Sequence, residues 1–168
     1  TRAVTAGASG LKIGIVKEGF GHASSEADVD QKVRAAANIL SECGASVDEI
    51  SVPWHLKGLP IWTPIASEGA TNQMMHGNGM GTGWEGMYTT SLLDYHANWR
   101  GRADELSDTL KITMFVGEYF LKHHRGHYYA KAQNLSRQLR EEYNKVLASY
   151  DLLLMPTNIV IFNVSDNS

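Results

Sequence analysis

The densest group of potential metal ligands in the sequence is a histidine cluster formed by His123, His124 and His127. His123 and His127 are four residues apart and would share one face of a helix, which is the spacing that brings two imidazoles to one metal ion. No glutamate follows the first histidine, as the zinc-protease motif requires, and Gly126 weakens a helix at this point. We therefore predict a surface histidine run near a helix end and no metal site.

Two glycine-rich segments have the residue types that bind phosphate groups. Residues 81–86 satisfy G-x-G-x-x-G, but a dinucleotide fingerprint needs a preceding strand, and the residues before this segment have a helical pattern. Gly19 and Gly21 are better placed, after a predicted strand, but the third glycine is missing. No Gly-Lys-Ser/Thr sequence occurs, which excludes a Walker loop. We predict no cofactor and interpret residues 77–86 as an irregular loop that is mobile or covers a substrate.

Nucleophilic catalysis requires a hydroxyl or thiol group held beside a base. Cys43 lies on the apolar stripe of a predicted helix, so we expect it to pack in the core, and no G-x-S-x-G elbow is present. Glu68 and Glu118 lie among mostly apolar residues and are candidate acids, unless they are buried with a hydrogen-bond partner or simply exposed. Residue chemistry by itself identifies no catalytic group.

Composition describes an ordinary globular chain and excludes several classes of partner. The 168 residues include 43% hydrophobic residues and carry a net charge of −3. The sequence pI of about 6.1 argues against non-specific nucleic-acid binding, and no apolar stretch approaches the roughly 20 residues of a membrane span. The single cysteine, Cys43, cannot form an internal disulfide bond, which favours a cytoplasmic location. We predict one domain over residues 1–168 with no nucleic-acid or membrane partner.

The N-terminal third of the chain reads as a strand–helix–strand unit. Residues 11–16 form a β-branched run, and residues 45–52 have an approximate alternation of apolar and polar side chains. Between them lies a helical pattern that starts at Ser24 or Ser25 and ends at Gly44. The predicted buried stripe of this helix contains Val29, Val33, Ala36, Leu40 and Cys43. Such a unit favours a parallel strand pair with a right-handed crossover.

The rest of the chain reads as mainly helical. Residues 151–156 are too uniformly apolar for a surface strand, and we expect a buried strand that ends at a proline. Helices are predicted over residues 59–75, 91–99, 103–122 and 128–149.

Three stretches together resemble the amidase signature family. Residues 11–22, Val52-Pro-Trp-His-Leu56 and Leu153-Leu-Met-Pro-Thr157 have the family's order and spacing. The same pattern is completed by Ile61-Trp62, Gln73-Met74, Gly77-Asn-Gly79 and Tyr129-Ala-Lys-Ala132. The likeness covers residues 10–157 and is strongest to the short-chain amidases of nitrile degradation. It implies an α/β fold in which this chain forms part of an αβα sandwich, with a helical layer over the acyl pocket and a buried C-terminal strand.

The resemblance also implies a reaction and the groups that perform it. Family members hydrolyse carboxamides to carboxylate and ammonia with a Ser–cis-Ser–Lys triad, in a Gly/Ser-rich core upstream of the segment matched here. The only adjacent serine pair, Ser24-Ser25, has no flanking glycines, and Lys12 and Lys17 belong to the strand motif. We therefore expect no catalytic residue and no activity of this chain alone, with an amide substrate bound only by the full-length parent. The alternative is a non-catalytic small-molecule binding or self-association domain.

Three residues are candidates for the substrate pocket that the resemblance implies. They are Trp62 and Gln73 on the predicted helix and Trp84 in the glycine loop. Trp62 would contact a small acyl or aryl group, and its alternative interpretation is an ordinary core tryptophan.

Both ends of the chain depart from the family pattern, at residues 1–10 and 158–168. Residues 158–164 could add a strand that covers a sheet edge. An uncovered edge would favour a homo-oligomer.

Overall fold

The computed structural model describes residues 7–157. The chain divides into two compact units, a sheet unit (Thr1–Lys57 with Gln138–Ser168) and a helical unit (Gly58–Arg137). One long helix contributes residues to both. The terminal segments, including the predicted strand at 158–164, lie outside the described residues.

The sheet unit is built on three parallel strands and a helix that connects two of them. The elements are β1 Lys12–Val16, α1 Ala27–Glu42, β2 Ser46–Ile50 and β3 Leu152–Leu154. The strand order is β2-β1-β3, and Ile13 lies opposite Val47 on one side and Leu152 on the other. Helix α1 connects β1 to β2, so the predicted parallel strand–helix–strand unit is confirmed.

The centre of the sheet unit is tightly packed around β1. Ile13 and Val16 are fully buried. Gly14 is also buried, and an ideal Cβ atom on it would lie 2.5 Å from Ile50 Cδ1. The absence of a side chain at Gly14 therefore lets the neighbouring strand's isoleucine cover β1.

Three expectations about helix α1 are wrong in detail. Cys43 is exposed, because it is the C-terminal cap, where the chain turns away at Gly44 with φ of 91°. The buried residue of α1 is Ala37, whereas Ala36 is exposed. Glu26 is the N-terminal cap in place of a serine, and Ser25 instead donates a hydrogen bond to Asp30. Gly44 ends the helix as predicted.

The C-terminal strand is present, but its leucines are less buried than expected. Leu152 is 50% exposed, and the next two leucines are only partly covered. The reason is that β3 pairs with β1 alone within residues 7–157, so one side of the strand has no neighbour there. Self-association through this edge stays a prediction.

The helical unit confirms the predicted helices with shifted boundaries. The α-helices are α2 Gly58–Gly69, α3 Thr90–Ala97, α4 Asp108–His124 and α5 His127–Leu147, the last of which runs on into the sheet unit. Helix α2 continues into a π-helical segment, Ala70–His76. The helix predicted to start at residue 103 begins at Asp108, because Ser107 caps it by accepting a hydrogen bond from the amide of Leu110. The residues before it, Asn98–Glu105, form 3-10 turns.

Helices α2 and α4 approach each other closely at Gly117. An ideal Cβ atom at Gly117 would overlap the carbonyl oxygen of Ser67 and the hydroxyl of Thr71. Thr71 is buried and donates a hydrogen bond of 3.4 Å to the carbonyl of Met114, one turn before the glycine. Within residues 7–157, no helix combines the length and apolarity needed to cross a membrane.

Candidate functional site

The predicted glycine loop folds onto itself around a tyrosine. The Tyr88 hydroxyl accepts a hydrogen bond from the Trp84 amide and donates one to the Gly81 carbonyl, both at 3.0 Å. Positive φ angles at Gly79, Gly81 and Gly83 allow the reversals that this geometry requires. The loop predicted from the sequence therefore has a definite structure that fixes the backbone of Trp84.

This loop and the start of α3 form an apolar cleft of about 420 Å³. Trp84, Met87 and Leu92 are all exposed, so their apolar surfaces are available to a ligand. Aromatic and thioether groups around a concave surface suit a flat, apolar ligand group. The lining residues are Gly79, Met80, Gly81, Trp84, Met87, Tyr88, Thr89, Leu92 and Leu93. We call this the Trp84 cleft.

A second, smaller cleft of about 170 Å³ contains Gln73. Its walls come from the end of α2, the π-helical segment, and the turn between α4 and α5. Glu68, the candidate acid, lies in this wall and is only 2% exposed. The lining residues are Glu68, Gly69, Asn72, Gln73, Leu121, Gly126 and Tyr129. We call this the Glu68 cleft.

The three predicted pocket residues are therefore not brought into one site. Trp84 and Gln73 line different clefts, and Trp62 lines neither of these two. Trp62 is 60% exposed, so its alternative interpretation as a core tryptophan is wrong. The physical reason is that adjacent residues of a helix point in different directions. Ile61 faces inward on α2 and is buried, so its neighbour Trp62 faces outward.

Sequence reasoning missed the network that holds the π-helical segment. Arg100 donates hydrogen bonds to Asn78 Oδ1 at 2.8 Å and to the carbonyls of Met75 and His76 at 3.3 and 3.1 Å. The Trp99 indole donates to the same Met75 carbonyl at 3.1 Å. These contacts anchor the first residues of the glycine loop, and π-helical turns are frequent at functional sites. No local motif marks Arg100 for this role, since its three partners in residues 75–78 lie more than twenty residues earlier.

The histidine run packs against aromatic rings. The ring centroids of His123 and Tyr119 are 4.6 Å apart, and those of His124 and Tyr128 are 4.7 Å apart. In the part of the chain that is described, no group of three histidine, cysteine, aspartate or glutamate side chains is arranged to hold a metal ion. The other candidate acid, Glu118, is paired with His76 and Lys122 at 3.5 and 3.1 Å.

The sheet unit contains a separate cluster of titratable groups. His55 Nδ1 lies 2.6 Å from the Tyr143 hydroxyl, and Glu18 accepts hydrogen bonds from the Ser51 side chain and the Val52 amide. Burial lowers the pKa of His55, and the nearby His22 lowers it further. Burial also raises the pKa of Tyr143, with a contribution from the charge of Glu18. Both shifts favour the neutral forms of the histidine–tyrosine pair.

We expect the His55 pair to make stability depend on pH. Because the folded-state pKa of His55 lies below its ordinary value of 6.5, the unfolded chain binds more protons in this range. The contribution of neutral His55 to the free energy of unfolding should be fully present above about pH 6.5. It should be lost as pH falls through the folded-state pKa. Urea unfolding from pH 5 to 8 measures how the free energy of unfolding depends on pH. An NMR titration of the imidazole measures the folded-state pKa of His55. An imidazole midpoint above 6.5, or the same pH slope in His55→Gln, would contradict this expectation.

The amino-acid sequence matches a family model and several known proteins. The family model for amidases matches residues 2–161. The chain is 37% identical over 150 residues to an enantioselective amidase of Rhodococcus rhodochrous, covering 89% of this chain and 29% of the relative. It is 31% identical over 160 residues to a glutamyl-tRNA(Gln) amidotransferase subunit from Nitrosomonas eutropha, covering 94% and 32%.

A solved structure agrees at the level of the fold. A bacterial aryl acylamidase of the amidase signature family superposes with a TM-score of 0.64 at 20% identity, covering 99% of this chain and 31% of that one. The chain thus spans about a third of the length of the relatives it matches. Since the family model extends over nearly all of the sequence, this chain belongs to the amidase family.

Proposed function

We propose that this chain provides the apolar side of an amide-binding site within a larger amide hydrolase, and that the Trp84 cleft binds the acyl or aryl group. The observation that carries the proposal is the cleft itself, whose indole is exposed on a loop held by the Tyr88 hydrogen bonds. Two relatives support the substrate class, since one is named an enantioselective amidase and another an aryl acylamidase. A rigid aromatic wall binds a flat group with little loss of side-chain entropy.

We also propose that the chain alone does not hydrolyse amides. Hydrolysis needs an activated nucleophile, and the serine and lysine considered for this role contact acidic side chains and not each other. The Ser25 hydroxyl donates to Asp30 at 3.2 Å, and the Lys17 ammonium lies 3.7 Å from Glu49. The chain would therefore recognise the apolar part of the substrate, and the acyl-transfer groups would come from the remainder of the enzyme.

Benzamide binding to the 168-residue chain tests the site. We expect the indole N–H signal of Trp84 to shift saturably in two-dimensional NMR as benzamide is added. Trp84→Ala should weaken binding by about tenfold, which corresponds to about 1.4 kcal/mol of lost aromatic contact. Trp62→Ala is the matched control, because it removes another exposed indole that does not line the cleft.

Two outcomes would contradict the proposal separately. Equal weakening by both tryptophan substitutions would mean that benzamide binds without using the cleft. Ammonia release from benzamide or acetamide that survives repurification would mean that the chain contains its own nucleophile. The first result removes the site, whereas the second removes only the assignment of catalysis to the rest of the enzyme.

A further inference from the structure

Glu68 places a carboxyl group inside the helical unit, and only one of its oxygens has a hydrogen-bond donor in the described part of the chain. Its Oε1 atom accepts a hydrogen bond of 3.0 Å from the amide of Tyr129, in the first turn of α5. Its Oε2 atom is buried and has no hydrogen-bond donor among the described residues. A buried carboxyl oxygen without a donor costs free energy of folding, so this position favours any ligand that can donate to it.

The unsatisfied oxygen lies beside the Glu68 cleft. An ideal Cβ atom on Gly126, which lines the cleft, would be 4.0 Å from Glu68 Oε2. Gly69, also in the lining, has only Tyr129 within 4 Å of its ideal Cβ position, at 3.8 Å. Two residues without side chains therefore leave space in the cleft beside Glu68. The Oε2 atom itself has almost no surface exposed to solvent, so a ligand reaches it when the neighbouring side chains move. At roughly 30 Å³ per water molecule, a cleft of about 170 Å³ accommodates a small solute.

The lining chemistry selects a positively charged hydrogen-bond donor. Asn72 and Gln73 also line the cleft and carry side-chain amide oxygens that can accept a hydrogen bond, and the Tyr129 hydroxyl accepts a hydrogen bond from Gln133 at 3.0 Å. The lining contains no lysine or arginine to neutralise Glu68. Leu121 provides one apolar wall, which suits a short alkyl group.

A calcium ion fits this lining less well. Calcium takes about 6–8 oxygen ligands and is usually held by several carboxylates. Among the described residues, Glu68 is the only carboxylate that lines the cleft. A group that forms directional N–H bonds to a few oxygens matches the lining better than a cation that needs a full oxygen shell.

We propose that the Glu68 cleft binds a small primary ammonium ion, either ammonium itself or a short alkylammonium. Glu68 Oε2 accepts an N–H bond from the ion and compensates its charge, while the amide oxygens of Asn72 and Gln73 complete the contacts. The proposal does not rest on the proposed function, because the Glu68 cleft and the Trp84 cleft share no lining residue.

The test compares cations of different hydrogen-bonding capacity on the full 168-residue chain. Thermal unfolding is followed in ammonium, methylammonium, potassium and tetramethylammonium chlorides at equal ionic strength. Ammonium and methylammonium should raise the unfolding temperature by about 3 °C at about five times the dissociation constant, and the shift should then grow with the logarithm of the cation concentration. Potassium has no N–H group, and tetramethylammonium is charged without one, so neither should give this shift.

Two variants assign the effect to the carboxyl group. Glu68→Gln keeps a carbonyl oxygen for the Tyr129 amide but removes the negative charge, so it should abolish the ammonium-specific shift. Glu141→Gln, at an exposed position of α5, is the matched control and should retain the shift. Circular dichroism checks that each variant is folded.

Several results would overturn the proposal. They are equal shifts with potassium and ammonium, no rise in unfolding temperature specific to the N–H cations, and an unchanged shift in folded Glu68→Gln. If Glu68→Gln does not fold, the comparison of the four cations on the unmodified chain still decides, because it requires no variant.

Discussion

Gly117→Ala should lower the free energy of unfolding by about 3 kcal/mol. The added methyl group would overlap the Ser67 carbonyl and the Thr71 hydroxyl where α2 and α4 meet, so the helices must separate. The expected sign is opposite to the usual one, since replacing a glycine inside a helix with alanine normally stabilises it by about 0.5–1 kcal/mol. Urea unfolding of the 168-residue chain, followed by circular dichroism, measures the change.

Gly58→Ala provides the matched control for this substitution. Gly58 begins α2, and an ideal Cβ atom there meets nothing within 4 Å. The control should therefore be neutral or slightly stabilising. If Gly117→Ala stabilised the chain as much as Gly58→Ala, α2 and α4 would have room for a methyl group at Gly117. That result would contradict their close approach at this residue.

Ile13→Ala is expected to destabilise the chain by about 2–5 kcal/mol. Ile13 lies on the central strand of the sheet, pairs with a strand on each side and is 2% exposed. Truncating it removes buried apolar surface and leaves a cavity that its hydrogen-bonded neighbours cannot readily fill. Chemical denaturation in urea gives the difference in free energy directly.

Ile39→Ala removes the same atoms from an exposed position and serves as the comparison. Ile39 lies on α1 and is 59% exposed, and alanine favours a helix slightly more than isoleucine does. Its effect should lie within about 0.5 kcal/mol of zero. Similar decreases in the free energy of unfolding for the two variants would mean that β1 is not the centre of the packed core of the sheet unit.

The elements of the chain could be predicted because their signals are local. The strand at residues 11–16 is a run of β-branched side chains, and α1 ends at a glycine whose positive φ other residues adopt with difficulty. The long helix over 128–149 has an apolar stripe at helical spacing and differs from the observed α5 by one or two residues at each end. These signals depend on neighbours a few residues apart, and the structure confirms them.

Burial was harder to predict, since it depends on what each face contacts. Cys43 has the spacing of the buried stripe but lies past the last turn of α1, where no neighbour covers it. Trp62 and Ile61 are adjacent apolar residues with opposite environments, and only packing of α2 determines which of them faces inward. Apolar character predicts that some face is buried, but it does not predict which residue at the edge of that face is covered.

The amino-acid sequence alone determined the class of fold, the order of the elements, the glycine loop and the likeness to amidase signature enzymes. Each of these depends on residue type, on periodicity or on motifs whose residues are close in the chain. Only the tertiary structure decided that Gln73 and Trp84 line separate clefts and that one oxygen of Glu68 has no donor within residues 7–157. The Glu68–Tyr129 hydrogen bond joins residues 61 positions apart, and the Arg100 network joins residues more than twenty apart. Such contacts are set by how helices pack, which local sequence patterns do not specify.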